Sequence, residues 1–238
     1  MRFRGASVPW TGVFTRLIRR FRDTIIPYLS HTIQNGYVVA SSGLCGELKH
    51  LAQFANQEYH IPMSTNLKPQ DVLVLLKLVA IGKQPWTYAG LAGELGMSAS
   101  EVHSAIVRAQ AARLYAEVIR TVLHPNLLEF LVHGVRYAFP AKIGPPVWGM
   151  PTAHAAPPLN RVIVADQPLT PVWEDQSGTT EGVSISPLYR SVPGAAQQDP
   201  ILYELLSCVD ALRIGRVRER TAAASALQER ILAEDTAA

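Results

Sequence analysis

Between Ser98 and Arg113 the sequence sets hydroxyl, imidazole and guanidinium groups at helical spacing. Ser98 is followed three residues later by Glu101. That is a capping box: the serine oxygen accepts a backbone N–H of the first turn, and the glutamate reaches back to the serine N–H. From that start, Val102, Ala105, Ile106 and Ala109 share one face of a helix. Ala99, Ser100, His103, Ser104, Val107 and Arg108 share the outer face. Ser98, Ser100, His103 and Ser104 can hydrogen-bond base edges or phosphates, Ala99 can meet a thymine methyl, and Arg108 adds a permanent charge.

Other chemistries find little in the chain. His124, His133 and His154 lack the close spacing of a metal set, and His154 stands alone in a Pro/Ala segment, which suggests at most a surface contact. Cys45 and Cys208 have no partner spacing, which argues against a disulfide framework or structural zinc and fits a reducing cytoplasm. There is no paired-carboxylate motif, nucleophile elbow or phosphate-cradling glycine loop, so neither an enzyme nor a cofactor is expected.

The elements that must position the outer face are legible around it. "PQDVLVLLKLVAIG" places Val72, Leu75, Leu76 and Val79 on one stripe, with Pro69 in the first turn and Gly82 just past the end. Thr87 can cap a second helix, "YAGLAGEL", and Gly96 suits a left-handed C-cap. Residues 87–113 therefore read as a helix-turn-helix, with small Ala92 letting the helices approach. A short helical stretch, "HPNLLEFLVHG", follows. "VRYAF" then alternates Val135, Tyr137 and Phe139 against Arg136 and Ala138, and "RVIVAD" makes a second strand pattern. The proline-rich residues 140–158 lie between them.

With the "LAGELGMSASEVHSAIVRA" run in place, residues 67–139 resemble a winged-helix transcription regulator of the broad MarR-like group, over about a third of the chain. The resemblance implies binding of duplex DNA as a homodimer, with the third helix of the core in the major groove. The two strand patterns would make the wing, with residues 140–158 as a long wing loop. One arginine on the outer face neutralises few phosphates. Arg113, at the end of the helix, and Arg136, Lys142 and Arg161, around the wing, would have to add the rest. A different use of the same fold is a protein-interaction module, such as the antitoxin-like partner of a neighbouring enzyme, in which the C-terminal helices would cover that enzyme.

The expected architecture is mainly α with a small β wing: a winged helix-turn-helix plus C-terminal helices. Residues 1–62 form a basic N-terminal extension, with seven Lys/Arg against three acids. Its "FTRLIRRFRDTIIPYL" run could lie as an amphipathic helix on nucleic acid, an anionic membrane or an acidic partner. Met63, just before the strong pattern, is an alternative start. Residues 63–166 hold the winged unit, residues 167–198 an irregular linker, and residues 199–238 a C-terminal helical segment. There Asp199 caps, Pro200 takes the first position, and Leu202, Leu205, Leu206, Val209 and Leu212 form a stripe for the core or for a dimer. Arg213, Arg216, Arg218 and Arg220 read as a solvated face with local ion pairs, or else as a phosphate or acidic-partner contact. With 48% hydrophobic and 17% charged residues the chain is globular in composition, and no apolar run is long enough to span a bilayer.

Overall fold

The run from Val72 to Val79 is apolar except for Lys77, which leaves no polar face for water. A helix of that kind belongs inside a protein. In the computed structural model, which describes residues 66–163 and 170–232, it is α1 (Pro69–Ile81), and every residue from Asp71 to Val79 is buried. Pro69 opens it, and Gly82, at φ 65°, closes it by donating its N–H to the Leu78 carbonyl at 3.0 Å. Thr87 caps α2 (Tyr88–Leu95), its hydroxyl accepting the Gly90 N–H at 3.0 Å, and Gly96 turns the chain in the left-handed conformation. The capping box then starts α3 (Ala99–Ala111). Val102, Ala105, Ile106 and Ala109 are buried, and α3 packs on α1 and α2.

A hairpin follows α3 directly. β1 (Tyr115–Ala116) pairs antiparallel with β2 (Thr121–Val122), Tyr115 opposite Val122. Both of those side chains are buried, and the four-residue tip is closed by the Arg120 N–H donating to the Glu117 carbonyl at 3.1 Å.

The strands expected at residues 135–139 and 161–166 are not where the chain makes sheet. Residues 135–139 end a continuous helical stretch: α4 (His124–Glu129), a π-turn (Phe130–Gly134) and α5 (Val135–Ala138). Leu127, Leu131 and Val135 recur every fourth residue and are all fully buried. That helical period outweighs the Val135/Tyr137/Phe139 alternation, and it leaves Tyr137 exposed. Arg161 ends a short 3-10 turn (Leu159–Arg161), Val162 and Ile163 pair with no strand, and residues 164–166 lie outside the described residues.

The proline-rich segment is itself a strand, not a wing loop. β3 (Ile143–Pro151) pairs antiparallel with β4 (Pro171–Glu174) and β5 (Thr180–Ile185), and β4 pairs parallel with β5, closing a small barrel. Proline cannot donate to a ladder, and Pro145 and Pro146 fall where the pairing with β5 shifts register. Gly149 allows the closure, because a Cβ there would stand 2.0 Å from the Trp173 carbonyl oxygen. Within residues 167–198, expected to be irregular, the chain thus builds β4, β5 and α6 (Val192–Gln198).

The last two helices, α7 (Pro200–Ile214) and α8 (Val217–Leu232), complete the core. Asp199 caps α7 by accepting the Ile201 and Leu202 N–H groups at 3.0 Å each. The stripe Leu202, Leu205, Leu206, Val209 and Leu212 is buried within the same cluster as α1. The stripe is therefore spent inside the chain and is not left for a second copy. The described residues are mainly helical with two small sheets, and all belong to one compact unit, Ile61–Ala238. The expectations for residues 1–62 lie outside the described residues. Among the described residues, no helix is long and apolar enough to cross a membrane.

Candidate nucleic-acid interface

The outer face of α3 presents what its spacing predicts at four positions. Ala99, Ser100, His103 and Ser104 are exposed. Ser98 is exposed as well, but its chemistry is committed to the cap. Its Oγ accepts the Glu101 N–H at 3.2 Å, and its own N–H donates to Glu101 Oε2 at 3.0 Å. The Ser98 backbone, the Tyr189 hydroxyl at 3.0 Å and the Ser98 hydroxyl hold the Glu101 carboxyl below the usual glutamate range. The first turn of α3 already carries its own anion, which satisfies the helix start.

Arg108 does not belong to that face. Its guanidinium turns inward and grips Asp71 of α1, with Nε donating to Oδ2 at 2.8 Å and Nη2 to Oδ1 at 2.6 Å. Asp71 is wholly buried and the Arg108 side chain is 11% exposed. Asp71 Oδ2 also accepts the Lys68 N–H at 2.8 Å, so one carboxylate caps α1 and anchors α3. The hydrogen bond to Asp71 holds the Arg108 pKa above its ordinary value, against the opposing effect of burial. Arg108 turns inward because a buried carboxylate needs a cation, and Arg108 is the one that reaches it.

The remaining basic residues scatter. Arg113 stays exposed at the junction of α3 and β1, in a left-handed backbone conformation, with its carbonyl accepting from Asn126 Nδ2 at 2.8 Å. Arg136, on α5, is half-buried and stacks over the Tyr137 ring at 5.2 Å. Lys142 is exposed just before β3, where its N–H donates to Ser186 Oγ at 2.7 Å. Arg161 is exposed on a turn that packs against α8. α5 packs on α7, whereas α3 packs on α1, α2 and β1. The three residues assigned to a wing thus sit on other elements than the hairpin that borders α3.

Sequence reasoning missed the residues that border the face. Trp86 meets Tyr88 edge-on at 5.3 Å, and Tyr88 meets His103 at 5.4 Å. On the other side, the Arg120 guanidinium lies over the Trp86 ring at 4.5 Å. A continuous row of Arg120, Trp86, Tyr88 and His103 therefore links the hairpin to α3. Beside it runs a groove of about 420 Å³ between the α1–α2 loop and the hairpin, lined by Lys83, Arg120, His124, Trp86 and Ile119 among others, with no carboxylate in its wall. The available signal was "WTY" before α2 and an isolated Arg120 in an apolar context, neither of which marks a hairpin by periodicity.

The C-terminal half holds polar groups used for structure. Arg213 is not on a solvated face. It donates to Asp210 Oδ1 at 2.6 Å, to the Phe139 carbonyl at 2.8 Å and to the Ser186 carbonyl at 3.1 Å. Buried Asp210 also accepts from Trp173 Nε1 at 2.6 Å and Thr152 Oγ1 at 3.0 Å. His154 is buried, with Nδ1 3.8 Å from Glu219 Oε1 of α8, and is not a loop-tip contact. Burial pushes the Cys208 thiol up to about 12, which leaves it un-ionised and inert at neutral pH. Among the described residues no cluster of His, Cys, Asp and Glu could hold a metal ion. No family model matches the chain, nor does any curated protein or solved structure.

Proposed function

We propose that α1, α2, α3 and the β1–β2 hairpin act as a winged helix-turn-helix that binds duplex DNA, and that the protein is a sequence-specific, MarR-like transcription regulator of the cytoplasm. The observation that carries this reading is the pairing of an exposed α3 face with a hairpin next to it through the Arg120–Trp86–Tyr88–His103 row. In this docking α3 enters the major groove. Ser100, His103 and Ser104 contact base edges, and Ala99 meets a thymine methyl. The wing is the hairpin of residues 115–122, and Lys83, Arg113 and Arg120 take over the phosphate contacts from Arg108. The MarR-like reading carries with it a homodimer on a short palindromic site.

The experiment is recovery of sheared genomic DNA by the purified full-length protein at two salt concentrations, followed by sequencing. Enrichment of a few sites that survives the higher salt supports the reading. Uniform or absent recovery removes it.

One observation favours a second reading. With Arg108 spent on Asp71, the outer face of α3 carries no lysine or arginine. That weak charge suits a protein-interaction module, such as an antitoxin-like partner, in which the same face meets a protein. Co-purification of a stoichiometric protein partner in place of DNA would establish it.

A further inference from the structure

The tip of the β1–β2 hairpin is built from residues that turn chemistry does not favour. Turns are ordinarily made of Gly, Asn, Asp, Ser or Pro, and this one carries Val118 and Ile119 at its apex. Val118 is 94% exposed and Ile119 68%. Both are β-branched and stiff, so holding them in one orientation costs little entropy. The base beneath them is fixed on three sides. Tyr115 and Val122 are buried, the Leu123 N–H donates to the Leu114 carbonyl at 2.9 Å, and Arg120 rests on Trp86.

The surroundings of the tip indicate what it meets. Arg113 lies just before β1, Arg120 just after the apex, and Lys83 faces the hairpin across the groove that Ile119 helps to line. Glu117 is the one carboxylate on the hairpin, and none lines the groove. An apolar point with Arg120 beside it and Lys83 across the groove matches a polyanion with an apolar interior reached through narrow gaps. Stacked base pairs have that character: phosphates outside, π-faces between.

We infer that Val118 and Ile119 form a wedge that enters between base pairs of duplex DNA, partly unstacks one step and bends the duplex. This rests on the DNA-binding reading and adds to it a deformation of the DNA, with a preference for steps that unstack easily. The cations beside the tip hold the phosphates that flank the opened step.

The test uses the full chain and two end-labelled duplexes of about 20 base pairs, two helical turns, one fully matched and one with a central mismatch, at low salt. A mismatch has already lost part of its stacking, so a wedge meets less resistance there. The expected result is about tenfold tighter binding to the mismatched duplex, and convergence of the two affinities in the double variant V118S/I119S. Circular dichroism of the variant confirms its fold, which is not at risk because both side chains stand in solvent. Equal affinity of the wild type for both duplexes overturns the wedge and leaves DNA binding intact. A variant that weakens both duplexes equally makes the tip a general contact and also overturns it. Binding to neither duplex overturns the wedge together with the DNA reading. In that case a mass by light scattering that falls from dimer to monomer in the variant identifies a second copy of the chain as the occupant.

Discussion

Arg108 of α3 and Asp71 of α1 are joined by two hydrogen bonds, at 2.6 and 2.8 Å, across 37 residues of sequence. The pair ties α3, which carries Ser100, His103 and Ser104, to the buried helix α1. Removing either partner leaves the other buried and unpaired, which costs about 3–5 kcal/mol. Arg108→Ala and Asp71→Ala should each lower the unfolding free energy, read from urea titration, by that much. Replacing the pair together, as D71L/R108M, should recover most of the loss, because two apolar side chains of similar size need no partner. DNA affinity per folded molecule should change little in the double variant. A large loss of affinity with normal stability would return Arg108 to the outer face.

Lys77, on the buried run of α1, bridges α2 and α7, with its ammonium 2.6 Å from Glu94 and 2.7 Å from Asp199. Burial disfavours the charged forms of Lys77 and Asp199, but their mutual hydrogen bond and charge outweigh it. The Asp199 pKa therefore falls below its ordinary 3.8 and the Lys77 pKa rises above its ordinary 10.5. The signs give two windows. Asp199 contributes stability at pH values above 3.8, and that contribution drains away as the pH falls below 3.8 toward its depressed value. Lys77 contributes at pH values below 10.5 and loses its contribution above it. Thermal melts of the wild type should thus be flat through neutrality and decline at both ends. Lys77→Met should lower stability at neutral pH and make the acid limb shallower, because Asp199 without its partner has less ionisation-linked stability to lose as the pH falls. An unchanged acid limb in the variant counts against the clamp.

The local signals were legible in the sequence and the non-local ones were not. The caps at Thr87, Ser98 and Asp199 and the stops at Gly82 and Gly96 lie within a few residues of what they satisfy, so spacing alone placed α1, α2, α3 and the start of α7. The exposed face of Ala99, Ser100, His103 and Ser104 followed from the same spacing. Arg108 escaped because its partner lies 37 residues away on α1, and helical phase makes Arg108 intermediate between inside and outside. The hairpin escaped because its strands have two residues each. The barrel escaped because its strand β3 carries three prolines, a composition that marks a loop unless a register shift accommodates them. At Val135–Phe139 two periods competed over five residues, and only the upstream Leu127 and Leu131 decide between them.

Asp210 of α7 ties the barrel to the helices, since Trp173 of β4, Thr152 after β3 and Arg213 all donate to its carboxylate. Trp173 is 1% exposed, so its indole N–H has no water to turn to. Asp210→Ala strands that N–H and the Arg213 guanidinium together, and should cost about 3–5 kcal/mol. Trp173→Phe removes one donor and keeps most of the packing, and should cost about 1–3 kcal/mol. Far-ultraviolet circular dichroism during urea unfolding reads both, and Trp173 fluorescence adds a barrel signal in Asp210→Ala. Loss of barrel order ahead of helix signal in Asp210→Ala would show that this network, more than the shared core, couples the two parts.

Arg120 and Glu117 stand at opposite ends of the hairpin tip, and their charges act oppositely on a nearby phosphate. In the proposed docking, Arg120→Gln should reduce the slope of log K against log salt by about one. It should also free the hairpin from Trp86, which nanosecond fluorescence anisotropy of Trp86 can follow. Glu117→Gln removes the only carboxylate of the hairpin and should tighten binding, most at low salt where screening is weakest. His103→Ala should instead act at one base position, weakening the preferred site while leaving the salt slope unchanged. These three responses differ in kind, so affinity measured on one site and one unrelated duplex across salt concentrations separates them. If all three variants shift affinity uniformly with the same salt slope, neither α3 nor the hairpin lies on DNA in the proposed way.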